Sequence, residues 1–326
     1  MSRRAVVTGA SGQDGSLLCE LLVEQGYEVT GLVRRSPSER LENLDGVRGR
    51  ARLLQVDLLD QFALAETLRE TQPHEVYNLA APSFVPLSWR QPVATAELAA
   101  VGGIALLEAV RAEAPGARVY QAVSSEIFGD PLSSPQDEET PVAPVTPYGA
   151  AKAYAFFVTR SYRRLHGLHA SSGILYNHES PRRLPDFLPR KVALGAARIA
   201  LGLDSELVVG DLDARRDWGY AADYVRAMWL MLQQDEPGDY VVATGVTHSV
   251  RDLVECAFAH AGLEWERHVR VDPTLVRGRA ELHNLVGDAS KARERLGWEP
   301  KVSFSELVRM LVDADLERLR ERSHAL

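Results

Sequence analysis

Short apolar runs alternate with longer segments of helical periodicity through the first half of the chain, and this alternation constrains the fold more than any other sequence feature. Short apolar runs are typical of buried strands, and longer segments with apolar residues about every three or four positions are typical of helices. Strands alternating with helices form crossover units, which give a parallel sheet covered on both faces. The runs are AVVTGA, SLLCELLVEQGY, EVTGLVR, ARLLQVDL, FALAETLRETQ and EVYNLAA, then a helix over 93–112, a strand over 118–125, a helix over 147–166 and a strand over 170–177. The pattern predicts an α/β fold with a doubly wound parallel sheet of Rossmann type.

A second, smaller lobe is predicted where the alternation loosens. Beyond position 177 proline and arginine become frequent, as in ESPRRLPDFLPRK, and the chain returns once to a strand-like run over 239–245. The 326 residues are enough for about two domains. Since ligands of open α/β sheets bind beyond the carboxyl ends of the strands, the second lobe would close over that crevice. We expect a Rossmann domain over 1–177 plus about 217–246, and a discontinuous substrate-binding lobe over about 178–216 plus 247–326.

Composition and charge limit the possible partners. Hydrophobic residues make up 45% and charged residues 25% of the chain, as in ordinary folded proteins, and the net charge is -8 at pH 7. Such a chain does not attract nucleic acid or anionic membranes, so we expect neither partner. Cys19 and Cys256 are the only cysteines, each in an apolar helical run, which predicts two buried free thiols and no metal site. The first residues enter a strand and lack the apolar stretch of a signal peptide, so we expect a cytoplasmic protein.

The stretch TGASGQDG follows the first predicted strand and leads into a helix, with glycines at positions 9, 12 and 15. Glycines there permit a tight turn, close approach of the backbone to a pyrophosphate, and close packing of the helix on the sheet. The start of the helix offers unpaired N–H groups to the anion. This stretch, at the start of a strand–helix–strand unit, therefore predicts a dinucleotide site.

The end of the second predicted strand indicates which nicotinamide cofactor binds. A free ribose 2′-hydroxyl favours a carboxylate there, and a 2′-phosphate favours arginine. The strand ends in GLVRRSPS, with Arg34 and Arg35 and no acid before Glu39, so the sequence predicts NADP. Asp57, at the end of the third strand, is either an acceptor for the adenine amino group or a cap for the following helix.

Tyr148 and Lys152 stand four positions apart at the start of a predicted helix, and Ser124, Ser125 and Glu126 end the preceding strand. Side chains four positions apart share one helix face, so the lysine ammonium group would favour the ionised form of the phenol. Tyr148 would then transfer protons near neutral pH. The arrangement predicts a catalytic site at the end of the fifth strand.

With these residues identified, the chain resembles the extended short-chain dehydrogenase/reductase family and, within it, the GDP-mannose 4,6-dehydratases. The resemblance covers nearly the whole length. NHESPRR and RRDWG are the segments that separate these dehydratases from other sugar-nucleotide enzymes of the fold. The resembling stretches are TGASGQDGS, EVYNLAA, YQAVSSEIFG, PQDEETP, TPYGAAKAYA, GILYNHESPRR, GDLDARRDWGYAADYVRAMWLMLQQD, DYVVATG and GDASKARERLGWEP.

The resemblance implies a set of site residues. The catalytic members are Ser124, Glu126, Tyr148 and Lys152, with serine at 124 where the dehydratases usually have threonine. The cofactor-binding positions are Gly9, Gly12, Gln13, Asp14, Gly15, Arg34, Arg35, Asp57, Leu58, Leu79, Ala81, Ser83, Tyr148, Lys152, His178 and Arg183. The substrate-binding positions are Ser83, Ser125, Glu126, Asn177, Arg190, Lys191, Arg216, Arg277, Arg279 and Glu281. Arg190, Lys191 and Arg216 would hold the diphosphate.

Three stretches depart from the pattern of the resemblance. Pro82 stands where glutamine is usual, and apolar residues occupy 142–145 where an aromatic pair and an arginine are usual. The segment 277–281 carries one residue that is apparently extra. These departures leave the cofactor chemistry in place, but they leave the hexose open.

The reaction implied by the resemblance is redox-neutral overall. The sugar is oxidised at carbon 4, loses water across carbons 5 and 6, and receives hydride at carbon 6, which gives a 4-keto-6-deoxy sugar. Tyr148 would take the proton of the 4-hydroxyl, and Lys152 would hold the ribose. Glu126 would remove the carbon 5 proton and, with Ser124, help water leave. We expect a homo-oligomer, a dimer or tetramer.

Two alternatives to this reaction remain open at this point. The first is another sugar-nucleotide enzyme of the fold, such as an epimerase, a 4-keto reductase or a dehydratase for a different hexose. An epimerase or a reductase would not need Glu126 as a base. The second is a non-catalytic NADP-binding sensor, which would tolerate loss of Tyr148.

Overall fold

A seven-stranded sheet forms the centre of the computed structural model, which describes residues 2–34, 41–275 and 285–324. The strands of the chain are β1 (Arg4–Thr8), β2 (Glu28–Val33), β3 (Ala51–Gln55), β4 (Glu75–Asn78), β5 (Arg118–Ser124), β6 (Ala170–Leu175), β7 (Asn177–Glu179), β8 (Leu207–Val209), β9 (Arg215–Tyr220), β10 (Asp239–Val242), β11 (Thr247–Ser249) and β12 (Val269–Val271). The large sheet has the order β10-β6-β5-β4-β1-β2-β3, and all its pairings are parallel. This arrangement confirms the predicted doubly wound parallel sheet.

Helices cover both faces of the large sheet. They are α1 (Gln13–Glu24), α2 (Gln61–Thr71), α3 (Val85–Arg90), α4 (Pro92–Ala96), α5 (Gly102–Glu113), α6 (Pro147–His166), α7 (Leu188–Ala200), α8 (Ala221–Met231), α9 (Val250–His260), α10 (Ser290–Leu296) and α11 (Phe304–His324). Alternate residues of β1 serve opposite faces. Ala5 and Val7 pack in one core with α1 and α8, whereas Val6 packs in another with α2 and α5. Both faces of the sheet are buried, which is why the strands appear in the sequence as continuous apolar runs.

A smaller body contains the remaining strands. β7, β9 and β11 form a three-stranded sheet, and β8 pairs with β12. Its core joins Val192 of α7, Val254 of α9 and Leu311 of α11 to Trp218 of β9. The division of the chain at 177/178 and 216/217 stays a prediction. Both of these positions fall within strands of the three-stranded sheet, β7 and β9.

One stretch in the described part of the chain, Pro92–Glu113, is long and apolar enough to cross a membrane by length and composition. It joins α4 to α5 through the π-helical turn Glu97–Val101. A core helix of a globular fold passes the same test, and 56% of the apolar window is buried. Leu106 and Val110 lie in the core that α5 shares with α2. We therefore interpret the stretch as a core helix.

The two cysteines are free thiols that differ in burial. Cys19 is buried among the residues of α1, and this burial raises its pKa to about 12. Cys256 on α9 is only half-buried, so the prediction of burial is wrong for this residue. The charge of Arg309 acts on its thiol. Among residues 2–34, 41–275 and 285–324, no group of three His, Cys, Asp or Glu side chains is placed to hold a metal ion.

Candidate active site

A cavity of about 470 Å³ lies where the parallel strands end, and residues of the smaller body complete its wall. Most residues that the sequence singled out line this cavity: Gly9, Gly12, Gln13, Asp14, Gly15, Leu79, Ala81, Ser83, Ser124, Glu126, Tyr148, Lys152, Asn177, His178, Arg183, Lys191 and Arg216. The structure thus brings together candidate catalytic, cofactor and substrate positions from segments far apart in the chain.

The glycine-rich turn between β1 and α1 is formed by close backbone contacts. Gly9 has a φ of +65°, and a Cβ there would lie 2.9 Å from the Cα of Ala80. A Cβ on Gly15 would lie 2.2 Å from the carbonyl oxygen of Gly9. Gly12 caps α1 without a side chain, so the first N–H groups of the helix face the cavity unobstructed. A helix start of this kind binds anions such as a pyrophosphate.

The buried His178 and the partly buried Asp14 form a pair beside this helix start. Nε2 of His178 lies 2.9 Å from Oδ2 of Asp14. Burial opposes ionisation of Asp14, but the charge and hydrogen bond of His178 outweigh it and lower the pKa of Asp14 to about 2. Burial likewise opposes protonation of His178, and Asp14 reverses this and raises the pKa of His178. The two groups therefore stabilise each other as an ion pair.

Gln13 ties the same helix start to the segment after β7. Its Nε2 donates to the carbonyl oxygen of His178 at 3.0 Å, and its Oε1 accepts from the hydroxyl of Ser180 at 2.9 Å. Arg182 adds a contact to Ser16 at 3.0 Å. These bonds fix the side of the cavity formed by the NHESPRR segment against the glycine-rich turn.

The end of β5 and the start of α6 bring the catalytic candidates together. Thr146 caps α6 by accepting from the N–H of Gly149 at 2.9 Å, and its hydroxyl donates to Oε2 of Glu126 at 3.4 Å. A Cβ on Gly149 would lie 2.5 Å from the carbonyl oxygen of Glu126. Only glycine therefore permits the helix to approach the turn Ser125–Phe128 this closely, which places Tyr148 and Glu126 in the same cavity.

Tyr148 and Lys152 are both buried, and burial controls their ionisation. Burial raises the pKa of Tyr148 to about 12, although a hydrogen bond with Ser124 acts in the opposite direction. Burial lowers the pKa of Lys152 to about 8, against the charge of Asp14. Nζ of Lys152 donates to the carbonyl oxygen of Ala122 at 2.9 Å and lies 5.9 Å from the Tyr148 ring centroid. Desolvation therefore sets the direction of the Tyr148 pKa, which is opposite to the direction expected from the spacing of Tyr148 and Lys152.

Glu179 is a site residue that the sequence reasoning missed, although it lies within the NHESPRR segment. It lines the cavity and is 1% exposed. Its Oε2 lies 3.3 Å from Nε of Arg183, but neither atom has a hydrogen-bond partner among the described residues. Burial raises the pKa of Glu179 against the charge of Arg183. A buried ion pair at a cavity wall whose facing atoms lack hydrogen bonds is suited to a polar ligand.

Lys191 and Arg216 supply positive charge to the part of the cavity formed by the smaller body. Lys191 stands in the first turn of α7, and Arg216 lies in β9, where it pairs in register with His248. Val209, Val250 and other apolar residues complete this wall. Cationic side chains beside apolar ones suit a nucleoside diphosphate, which has an anionic linker and a flat base.

Several predicted site residues lie away from the cavity wall. Arg34 is exposed after β2, and Ser125 is buried in the turn after β5. The side chain of Leu58 packs in the core against α5. Asp57 accepts from the N–H of Leu59 at 2.9 Å. The alternative that Asp57 caps α2 is wrong, because Asp60 occupies that position and accepts from the N–H of Ala63.

Arg190 also points elsewhere. Its guanidinium pairs with the buried carboxylate of Asp315 on α11, and its Nε donates to the carbonyl oxygen of Arg183 at 3.2 Å. Four predicted residues, Arg35, Arg277, Arg279 and Glu281, lie outside the described residues.

The sequence is similar to proteins of one enzyme family. The profile described as GDP-mannose 4,6 dehydratase matches residues 6–311. GDP-mannose 4,6 dehydratase 1 of Arabidopsis thaliana is 47% identical over 325 residues, which cover 96% of this chain and 90% of that protein. This similarity confirms the resemblance that the sequence motifs predicted.

Solved structures of related enzymes share the fold. A dTDP-glucose 4,6-dehydratase from Streptomyces venezuelae with NAD bound superposes with a TM-score of 0.87 at 26% identity, covering 98% of each chain. RMD from Pseudomonas aeruginosa complexed with NADPH superposes with a TM-score of 0.82 at 25% identity, covering 97% of this chain and all of that one. Together with the full-length sequence match and the placement of Ser124, Glu126, Tyr148 and Lys152 in one cavity, these similarities show that the chain belongs to the GDP-mannose 4,6-dehydratase family.

Proposed function

We propose that this protein converts GDP-mannose to GDP-4-keto-6-deoxymannose with bound NADP. The observation that carries the proposal is the placement of a carboxylate, Glu126, in the same cavity as Tyr148, Lys152 and a glycine-rich helix start. A simple oxidoreductase of this fold needs the tyrosine and the lysine but no additional base. A dehydratase needs one, because a proton must leave carbon 5 before water leaves carbon 6.

The residues present fit a nicotinamide dinucleotide. The turn at Gly9, Gly12 and Gly15 has no room for side chains at two of its three positions and leaves the helix start open to a pyrophosphate. The ion pair of Glu179 and Arg183, whose facing atoms have no hydrogen bond among the described residues, marks a second polar contact region at the same cavity. When bound, the nicotinamide supplies a reversible hydride acceptor for carbon 4 and a donor for carbon 6.

The chain's own residues move the protons. The phenolate of Tyr148 takes the proton of the 4-hydroxyl, and the hydrogen bond with Ser124 favours this ionised form against the desolvation that opposes it. The ketone that forms at carbon 4 acidifies carbon 5, and Glu126 removes that proton. Glu126 and Ser124 then help the 6-hydroxyl leave as water.

NADP rather than NAD is proposed because β2 is followed directly by Arg34 and Arg35, with no carboxylate at either position. A guanidinium binds a 2′-phosphate by parallel hydrogen bonds. Dissociation constants of the protein for NADP and NAD test this proposal. NADP should bind more tightly, and Arg35→Asp should reverse the preference. Equal or tighter binding of NAD by the wild-type protein would contradict it.

A guanosine diphosphate sugar is proposed as the substrate, with mannose as the hexose. The family match supports this substrate, and Lys191 and Arg216 supply charges for the diphosphate. The departures at Pro82 and 142–145 concern which hexose the site recognises. The test is a panel of GDP-, UDP-, CDP- and dTDP-hexoses assayed for the 4-keto-6-deoxy product. Clear preference for another nucleotide would overturn the substrate and leave the dehydratase chemistry standing.

A homo-oligomer is proposed on the basis of apolar side chains exposed on neighbouring helices. Tyr154, Phe157 and Leu165 recur on one side of α6, and they are 45%, 49% and 74% exposed. Val93 and Val101 expose apolar surface on the adjoining helical stretch 92–113. A second copy of the chain would cover this surface. Sedimentation should show a dimer or tetramer, and Phe157→Glu should shift it toward the monomer; a wild-type monomer would refute the proposal.

We place the enzyme in the cytoplasm, where two free thiols remain reduced. The net charge of -8 gives no attraction to nucleic acid or to anionic membranes, and neither is proposed as a partner.

A further inference from the structure

The guanidinium of Arg183 is held at the cavity wall by two contacts from its own segment. Its central carbon lies 3.6 Å from the centroid of the Phe187 ring, and its Nε lies 3.3 Å from the Glu179 carboxylate. Stacking on a ring fixes the plane of a guanidinium. Both Arg183 and Phe187 line the cavity, so the position of this segment sets the shape of the wall.

The backbone of the same segment is held from α7. The carbonyl oxygen of Arg183 accepts a hydrogen bond from Nε of Arg190 at 3.2 Å. The side chain of Arg190 is 5% exposed and does not take part in the cavity wall. This hydrogen bond to the Arg183 carbonyl is the contact by which Arg190 holds the backbone of the cavity wall.

The orientation of Arg190 depends on the C-terminal helix. Its NH1 pairs with Oδ2 of Asp315, whose side chain is 2% exposed, and Arg318 lies 3.6 Å from the other carboxylate oxygen. A guanidinium has donors in a rigid plane, so the ion pair at NH1 fixes the direction in which Nε points. A buried ion pair adds little net stability compared with apolar side chains of similar volume, but it imposes one geometry.

We propose that Asp315 is a positioning residue for the cofactor part of the cavity, acting through Arg190 on the segment that carries Arg183. Asp315 stands in the last helix and outside every motif that the sequence analysis singled out. The contacts form one chain, from Asp315 to the Arg190 guanidinium and from Nε of Arg190 to the Arg183 carbonyl. The inference rests on the proposed function only in that NADPH is the ligand used to test it.

The test measures NADPH binding by fluorescence titration, together with the thermal midpoint of the ligand-free protein. Arg190→Lys keeps a cation for Asp315 but loses the planar Nε donor, so NADPH should bind about 10-fold more weakly while the thermal midpoint changes little. Asp315→Asn should weaken NADPH binding by a similar factor. Asp313→Asn is the matched control on the same helix, because Asp313 is exposed and pairs only with His260 among the described residues. It should bind NADPH as the wild-type protein does.

Asp315→Asn leaves a buried cation without its partner and could prevent folding, so a double variant, Arg190→Met with Asp315→Leu, accompanies it. Apolar replacements of similar volume keep a buried site packed, yet they too remove the Nε donor. The double variant should fold and bind NADPH about 10-fold more weakly. If Arg190→Lys and the double variant bind NADPH with the wild-type constant, the ion pair is merely structural and the proposal is overturned. Failure of the wild-type protein to bind NADPH at all would instead refute the proposed function.

Discussion

Replacement of Glu126 by glutamine separates the two halves of the proposed reaction. The change keeps the size of the side chain and one oxygen acceptor, but it removes the group that would take the proton from carbon 5. Oxidation at carbon 4 depends on Tyr148 and should proceed. Loss of water should stop, so the Glu126→Gln enzyme should accumulate reduced cofactor and the 4-keto sugar.

The structure sets the size of the expected effect. The contact from the Thr146 hydroxyl to Glu126 is 3.4 Å, long for a hydrogen bond, and glutamine can still accept it. We therefore expect a change in the free energy of unfolding below about 1 kcal/mol. A positioned general base contributes about 10²- to 10⁴-fold to rate. Dehydration should slow by at least about 100-fold, which corresponds to about 2.7 kcal/mol in the barrier.

Single-turnover absorbance of the reduced nicotinamide gives the assay. The Glu126→Gln enzyme should show a rise in this absorbance on mixing with substrate and no decay, whereas Tyr148→Phe should show no rise. Glu113→Gln is a matched control, since that carboxylate pairs with Arg69 at the surface of the molecule. The assignment of the base is wrong if Glu126→Gln dehydrates the sugar at the wild-type rate.

Three further predictions concern pH and packing. The pKa of Asp14 lies at about 2 instead of 3.8, so its pair with His178 should contribute about 2 kcal/mol to the free energy of unfolding above pH 4. This contribution is lost as the pH falls from about 4 to 2, and acid unfolding curves of Asp14→Asn should lack this pH dependence. Gly15→Ala should weaken NADP binding at least about 10-fold, because the added Cβ would lie 2.2 Å from the Gly9 carbonyl oxygen, and unchanged titrations would refute the packing argument. The pKa of Lys152 is lowered to about 8, so kcat/KM should fall as the pH rises through about 8 and the ammonium group loses its proton. A flat profile to about pH 9 would show that the reaction does not need the charged form of Lys152.

The fold and the centre of the site could be predicted from the sequence because each depends on local rules. Apolar runs between helices specify a parallel sheet, and the turn at Gly9 to Gly15 lies at the end of a strand whichever side chains surround it. Tyr148 and Lys152 share a helix face by spacing alone. Those features require no knowledge of which distant segments meet.

The features that could not be predicted from the sequence depend on contacts between segments distant in the chain. Arg190 reads as a diphosphate ligand until Asp315, 125 positions later, is seen to bind its guanidinium. The ionisation of Tyr148 depends on desolvation, which spacing does not reveal. Glu179 reads as part of a motif, and only burial beside Arg183 shows that its carboxylate lacks a hydrogen-bond partner within the described residues.

The central claim is that one site oxidises carbon 4, removes water and returns the same hydride to carbon 6. GDP-mannose carrying deuterium at carbon 4 tests it directly, with the purified protein and NADP in less than the substrate's amount. The account predicts a product lighter by one water, with the deuterium in the methyl group at carbon 6 and no net reduction of NADP. An epimer with deuterium still at carbon 4, or a ketone formed with stoichiometric reduced cofactor and no loss of water, would contradict it.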